Sequence, residues 1–416
     1  MISISRLLCD TVSPGDSLRY GDKSLPSKGM ISHGEGKPVV VWNCTRQCNL
    51  KCIHCYASAD DDISSPAIST TAGERFIEDL ADFGVPVILF SGGEPLLRED
   101  LFHLATLARD SGIRIALSTN GTLIDDEIAG KLSHSGFAEV GISLDGIGAN
   151  NDRFRGQKGA FEKALTGIRH CKARGLRVSL RLTLTRFNHQ EIPAIFQLVE
   201  DEGIDRVCFY HLVYSGRGDN LRSQDLSHAQ TRNAVDAISR HTIDLHSGGK
   251  TKEVLMVGNH ADGVYLYLKL RKVDPERAQN VFDLLRKNGG NNSGIKIGAV
   301  DNAGNVHPDQ FWWHYTLGSI LQRKFGDIWT DTSEPLLRGL KDRKRLLKGR
   351  CARCQYIDLC NGNLRVRAEA VFGDVWAEDP ACYLSDDEIG ITAGGERLTV
   401  KPFKGPRHEP RHQITA

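Results

Sequence analysis

The chain has 416 residues, 40% hydrophobic and 25% charged, with 53 basic against 52 acidic side chains and a net charge of +1. This is the composition of a globular protein with a sizeable core, and the charge balance argues against a nucleic acid or an anionic membrane as principal partner. No long apolar run marks a membrane span, the N-terminus lacks a signal peptide's apolar region and cleavage site, and eleven cysteines are too sparse for a disulfide scaffold, so a cytoplasmic, reducing location is expected.

Residues 1–37 read as an irregular lead-in punctuated by Gly15, Gly21, Pro26, Gly29, Gly34 and Gly36, and the isolated Cys9 reads as a small hydrophobe. A strong alternation follows. An apolar strand at 38–42 runs into a loop holding Cys44, Cys48, Cys52 and Cys55, and helical periodicity covers 70–83. A strand at 87–90 ends in Ser91-Gly92-Gly93-Glu94-Pro95, and a helix follows at 97–111. The next strand, 113–119, ends in Asn120-Gly121, with a helix at 125–135. A strand at 140–144 ends in Asp145-Gly146, with a helix at 161–174. Strands at 177–183 and 206–213 alternate with helices at 191–202 and 228–245.

Six such units predict an α/β architecture, a partial (β/α)6 TIM-type barrel over 38–248 with right-handed crossovers. In such folds chemistry sits at the carboxyl ends of the strands, where the cysteines, the Gly-Gly-Glu-Pro turn, Asn120 and Asp145 all fall. Residues 249–300 read as a connector with one strand (254–257) and one helix (275–287). Beyond it, 301–388 reads as a small second domain that opens on a hairpin around Asp301-Asn302-Ala303-Gly304. That domain carries the aromatic run Phe311-Trp312-Trp313-His314-Tyr315 and a second cysteine group, Cys351, Cys354 and Cys360 in C-x2-C-x5-C, then Cys382. The tail, 389–416, is expected to be poorly ordered.

Cys48, Cys52 and Cys55 have the spacing C-x3-C-x2-C. Zinc sites usually complete a tetrahedron with a second pair, whereas three thiolates without a nearby fourth suit a centre that keeps one position open. With CNLKCIHCY, SGGEP, STNG and SLDG in strand-end order, the chain resembles the radical S-adenosylmethionine (SAM) superfamily. The resemblance implies a 4Fe-4S cluster on Cys48, Cys52 and Cys55 whose fourth iron chelates SAM, with Cys44 a bystander. It also implies SAM contacts from Gly92, Gly93, Glu94, Pro95, Ser118, Asn120, Ser143 and Arg155. Missing one protein ligand is what such an iron requires, and the glycines let backbone approach a ligand closely.

The second cysteine group resembles the auxiliary-cluster domain of the SPASM and Twitch groups, with Leu364 where the fuller version has another cysteine. Ala299 and Asp309 stand in the stretch where a second auxiliary cluster would take ligands. One auxiliary 4Fe-4S cluster on Cys351, Cys354, Cys360 and Cys382 is therefore implied, with zinc as the alternative. Longer stretches, among them PVVVWNC, VCFYHLVYSGRG, NHADG and VHPDQFWWHY, look like the haem-biosynthesis branch. That branch implies loss of two acetate side chains from 12,18-didecarboxysiroheme to give iron-coproporphyrin III. Its haem d1 arm removes propionates instead, and auxiliary-cluster relatives outside the branch modify peptides.

An external one-electron donor such as ferredoxin or flavodoxin is implied, and a 5′-deoxyadenosyl radical made from SAM would abstract hydrogen from the substrate. An iron tetrapyrrole suits an axial His and carboxylate-binding Arg. His211, His260, His307 and His314 are candidates for the first role, and Arg217, Arg365 and Arg367 for the second. Trp312 and Trp313 are candidates to stack on the macrocycle, and His307 with Trp312 is the preferred pair. A sensing module and a zinc protein are the remaining rivals.

Overall fold

A computed structural model describes residues 1–21, 36–61 and 67–391. Eleven strands form one sheet: β1 (Ile2–Ser3), β2 (Val39–Thr45), β3 (Val87–Gly92), β4 (Arg114–Thr119), β5 (Val140–Ser143), β6 (Val178–Leu184), β7 (Arg206–His211), β8 (Glu253–Val257), β9 (Ile297–Val300), β10 (Asn305–His307) and β11 (Gly318–Ser319). Their spatial order is β1-β8-β7-β6-β5-β4-β3-β2-β9-β10-β11. From β2 to β8 every neighbour is parallel, and β9 joins β2 in parallel. Both edges are finished by antiparallel pieces, β1 on β8 and the β9–β10–β11 meander. The six expected βα units are all present, and the fold is a partial TIM-type barrel.

The strands read as apolar runs because both of their faces are covered. β2 shows the arrangement. Trp42 is fully buried, edge-on to Phe76 of the helix Thr70–Phe83 at 5.2 Å and tilted against Phe90 of β3 at 5.6 Å. Burying an aromatic of that size contributes about 3–5 kcal/mol. The same helix starts where Ser69 accepts a hydrogen bond from Ala72 N–H and stops at Gly84, which takes the left-handed conformation.

An ionic network closes the floor of the barrel, at the amino ends of the strands. Glu253 accepts from Arg177 NH2 at 2.7 Å and Arg206 Nε at 2.6 Å, and also from Arg19. Arg206 bonds Glu139 as well, and Arg19 reaches Asp16 at 2.9 Å.

Two regions depart from the sequence reading. Residues 1–20 are regular where an irregular lead-in was expected: β1 is followed by helices Ile4–Cys9 and Asp16–Tyr20. β1 pairs with the exposed edge of β8, and Ser3 caps the first helix by accepting from Arg6 N–H. The connector holds two helices, Ala261–Val273 and Pro275–Asn288, rather than one. The first escapes periodicity because Val264, Tyr265, Leu266 and Tyr267 are all buried, so it has no single apolar stripe. The strand expected in the connector is β8, which extends the barrel sheet. Pro26, Gly29 and Gly34 of the lead-in, and the tail beyond residue 391, lie outside the described residues. Among those residues no helix is long and apolar enough to cross a membrane.

Candidate active site

A cavity opens at the carboxyl end of the barrel strands. Cys48, Cys52 and Cys55 line it together with Gly92, Gly93, Ser118, Asn120, Ser143, Asp145 and Arg155. The motifs that sequence order scattered over about a hundred residues thus meet in one place, as expected for this architecture.

The cysteine loop is held by backbone from every side. Ile53 N–H donates to Phe154 O at 2.9 Å, Arg217 N–H to Cys55 O at 2.9 Å, and Arg217 Nε to Cys52 O at 2.7 Å. Gly93 N–H donates to Thr45 O at 2.7 Å and Glu94 N–H to Gln47 O at 2.8 Å. A Cβ at Gly92 would stand 2.3 Å from Thr45 O, and one at Gly93 would stand 2.2 Å from Gln47 O. The close approach that these glycines allow is therefore, first of all, to the cysteine loop itself.

Glu94 and Pro95 do not line the cavity. The Glu94 carboxylate is fully shielded and accepts from Leu96 N–H (3.1 Å), Thr119 Oγ1 (2.7 Å) and Asn120 N–H (2.8 Å). Burial pushes its pKa up to about 7 against these three donors. It pins β3 to β4 and fixes Asn120, whose side chain reaches Asn49 in the cysteine loop at 2.8 Å. Arg155 pairs with Asp145 at 2.5 Å and points NH1 at Cys52 Sγ, 3.7 Å away. His54, inside the loop, also reaches Asp145, at 3.1 Å. Burial alone would raise the Asp145 pKa, but Arg155 and His54 overcome it and hold the pKa near 2.

The Cys48 and Cys52 thiols prefer the neutral form by themselves. Burial pushes Cys48 up to about 12 and raises Cys52, where Arg155 opposes the shift. A cation-rich centre in contact with the sulfurs reverses that preference. Cys44 is wholly buried in the core and absent from the cavity wall. Several shielded polar atoms on cavity-lining residues have no hydrogen-bond partner among the described residues: His54 Nδ1, Arg155 Nε, Arg181 Nε, Arg217 NH2 and Gln310 Oε1. A buried polar group without a partner costs about 1–3 kcal/mol, so this cluster fits a site completed by polar ligands such as SAM and substrate.

Cys351, Cys354, Cys360 and Cys382 line a second, smaller cavity with Asn363, Asp379 and Arg350. Burial raises Cys351 and pushes Cys382 up to about 12, and it lifts Cys360 further, helped by the other three sulfurs. Four thiols that line one cavity are a donor set that suits an iron-sulfur cluster, and tetrahedral zinc takes the same set.

The candidates for substrate contact divide. His211 and Arg217 line the main cavity, His211 with Nε2 on Asp262 at 2.9 Å. His307 is buried away from it, its nitrogens on Tyr315 O (2.8 Å) and Asp301 (3.3 Å), and Trp312 is wholly buried in a separate apolar cluster. The preferred pair is therefore occupied by core contacts. His260 is buried beside the N-terminal amine, and His314 is exposed on Glu369. Arg365 and Arg367 are fully buried. Arg365 donates to backbone carbonyls such as Val375 O at 3.2 Å, and Arg367 pairs with Asp379 at 2.8 Å. Trp313 packs against the apolar side of the cysteine loop, but Gln310 and Phe311 of the same run are the ones that reach the cavity wall. Sequence reading missed these two along with Tyr56, Arg181, Thr183 and Tyr210. The last three stand on alternate positions of strands whose lumen-facing sides hold Ser and Arg among apolar neighbours, which is the signal that was available.

A sequence profile described as the radical SAM superfamily matches residues 42–199. The chain is 56% identical to Fe-coproporphyrin III synthase of Methanosarcina barkeri, covering 94% of this chain and 99% of that protein. It is 46% identical to pre-heme d1 synthase of Dinoroseobacter shibae, covering 93% and 96%. Its fold is similar to the crystal structure of Streptococcus suis SuiB bound to S-adenosylmethionine, with a TM-score of 0.66, 17% identity, and coverage of 84% of this chain and 78% of that one.

Proposed function

The chain belongs to the radical SAM superfamily, and we propose that it removes two acetate side chains from 12,18-didecarboxysiroheme, leaving methyl groups and iron-coproporphyrin III. It is an enzyme whose cofactors are SAM and a 4Fe-4S cluster. The observation that carries the substrate is the near full-length similarity to Fe-coproporphyrin III synthase, at 56% against 46% for the haem d1 relative. A cavity wall with three arginines and one carboxylate supports a polycarboxylate substrate.

Cys48, Cys52 and Cys55 would hold the cluster, and a reduced cluster with SAM bound supplies a carbon radical able to take hydrogen from substrate. The chain's own residues do the rest. The Gly92-Gly93 turn seats the loop, Glu94 holds Asn120 beside it, and Asp145 orients both Arg155 and His54. Tyr56 and Phe311 meet edge to face at 5.3 Å and form part of the cavity wall. Cys351, Cys354, Cys360 and Cys382 would hold one auxiliary cluster, a carrier of single electrons, and an external one-electron donor of the ferredoxin or flavodoxin kind completes the requirement.

The test is anaerobic incubation with didecarboxysiroheme, SAM and a reductant, followed by mass analysis of the tetrapyrrole. Iron-coproporphyrin III is the expected product. Loss of propionates would move the chain to the haem d1 reaction. An unchanged tetrapyrrole with 5′-deoxyadenosine formed would overturn the substrate and point to another, a peptide included.

A further inference from the structure

Arg181 stands in the barrel lumen on β6, in register with Ser143 of β5 and Cys208 of β7. Its guanidinium lies over Gly141, where a Cβ would come within 2.3–2.5 Å of Nε, Cζ and NH2. It lines the main cavity, and its Nε is shielded. That Nε has no hydrogen-bond partner among the described residues.

The carboxylates on either side of it are committed. Above, Asp145 is taken by Arg155 and His54; below, Glu139 is taken by Arg206 and faces Arg177. Apart from the thiols, the cavity wall carries, among the described residues, the cations Arg155, Arg181 and Arg217 against the one carboxylate of Asp145, an excess of two positive charges. A half-buried guanidinium without an anion is costly, and its planar fork matches a carboxylate in two hydrogen bonds.

We propose that Arg181 anchors a carboxylate of the molecule that fills this cavity. Two sources carry that chemistry: the methionyl carboxylate of SAM, which rests on family membership alone, and an acid side chain of the tetrapyrrole, which rests on the function proposed above. Neutral ligands and hydroxyls would leave the charge excess standing.

The experiment compares wild type, Arg181→Gln, Arg181→Lys and Gly141→Ala as anaerobically reconstituted enzymes. Binding of SAM, decarboxylated SAM and ferric coproporphyrin III is measured, the last by Soret titration. If SAM is the source, Arg181→Gln weakens SAM about tenfold or more, the scale of a charge-assisted hydrogen bond, and leaves decarboxylated SAM within about twofold. If the tetrapyrrole is the source, the same variant weakens ferric coproporphyrin III on that scale and leaves SAM unchanged. Gly141→Ala keeps the charge but displaces the fork, so it reproduces the loss, while Arg181→Lys restores part of it. These two variants also decide the matter if Arg181→Gln fails to fold. Affinities for both ligands that stay within about twofold across the variants overturn the proposal. A wild type that binds SAM but not ferric coproporphyrin III, the expected product, counts against the proposed reaction instead, and the SAM comparison still reads Arg181.

Discussion

Arginine is abundant at both ends of the barrel, and it does different work at each. At the amino ends of the strands, Arg19, Arg177 and Arg206 are each ion-paired within the set Asp16, Glu139 and Glu253, and Arg114 faces the same carboxylates. At the carboxyl ends, Arg155, Arg181 and Arg217 face Asp145 alone, and Arg217 spends its Nε on the Cys52 carbonyl. Charge balanced within the fold is a structural device, because each desolvated ion has its partner built in. Charge left in excess along a cavity is unfinished without an occupant. Net charge, at +1, hides this difference completely, since it sums over both ends.

The comparison breaks if the floor turns out to matter for chemistry. Glu253→Gln removes the acceptor shared by three arginines whose partner is almost fully shielded. Breaking one side of a buried ionic network costs about 3–5 kcal/mol. Urea unfolding should register that loss, while SAM cleavage per folded molecule should be unchanged. A variant of ordinary stability with impaired cleavage would show that the floor is coupled to the site.

How much of this was legible depended on whether the signal was local. The six βα units followed from period and strand-end position, and so did the meeting of Cys48, Cys52 and Cys55 with Gly92, Gly93, Asn120 and Asp145, whereas Glu94 and Pro95 of the same turn stand off the cavity wall. Lone residues were legible far less well. His307 and Trp312 drew attention through striking neighbours, yet both are consumed by the core, and Gln310 and Phe311 between and beside them reach the cavity. Arg365 and Arg367 read as a carboxylate fork, but they are taken by Asp379 and by carbonyls on both sides along the chain, among them Gly362 O, Ala377 O, Leu212 O and Gly258 O. Arg181 went unnoticed because nothing in its neighbourhood along the chain says that its partner is missing. Such facts are pairwise in space and leave no mark in spacing.

At the upper end the pairs themselves can be titrated. Arg155 and His54 hold Asp145 near 2 against its burial, from an ordinary value of 3.8. A depressed carboxylate stabilises the fold above its ordinary pKa and loses that contribution as pH falls through the folded value. That depression corresponds to about 2 kcal/mol, present above pH 3.8 and lost as pH falls through about 2. Arg155→Gln should therefore move the acid-unfolding limb to higher pH. It should also depress SAM cleavage, which Glu253→Gln does not. An acid limb identical to wild type would mean that Asp145 is held down without Arg155.

The smallest effect sharpens the comparison most, because it concerns a residue that looks like a ligand in the sequence. Cys44 lies four residues before Cys48 in the same crowded stretch of sequence, but it is still in β2, its side chain is buried in the core and burial pushes its pKa up to about 12. β2 runs through Cys44 to Thr45, so alternation along the strand turns Cys44 away from the cavity before the chain leaves the sheet and frees Cys48 to face it. Cys44→Ala should cost about 1 kcal/mol, the price of one buried sulfur of roughly methylene size. Iron content, acid-labile sulfide and SAM cleavage should all stay at wild-type levels. Loss of iron on this substitution, with Cys48, Cys52 and Cys55 intact, would make the thiol at the strand end a ligand and the centre a closed one.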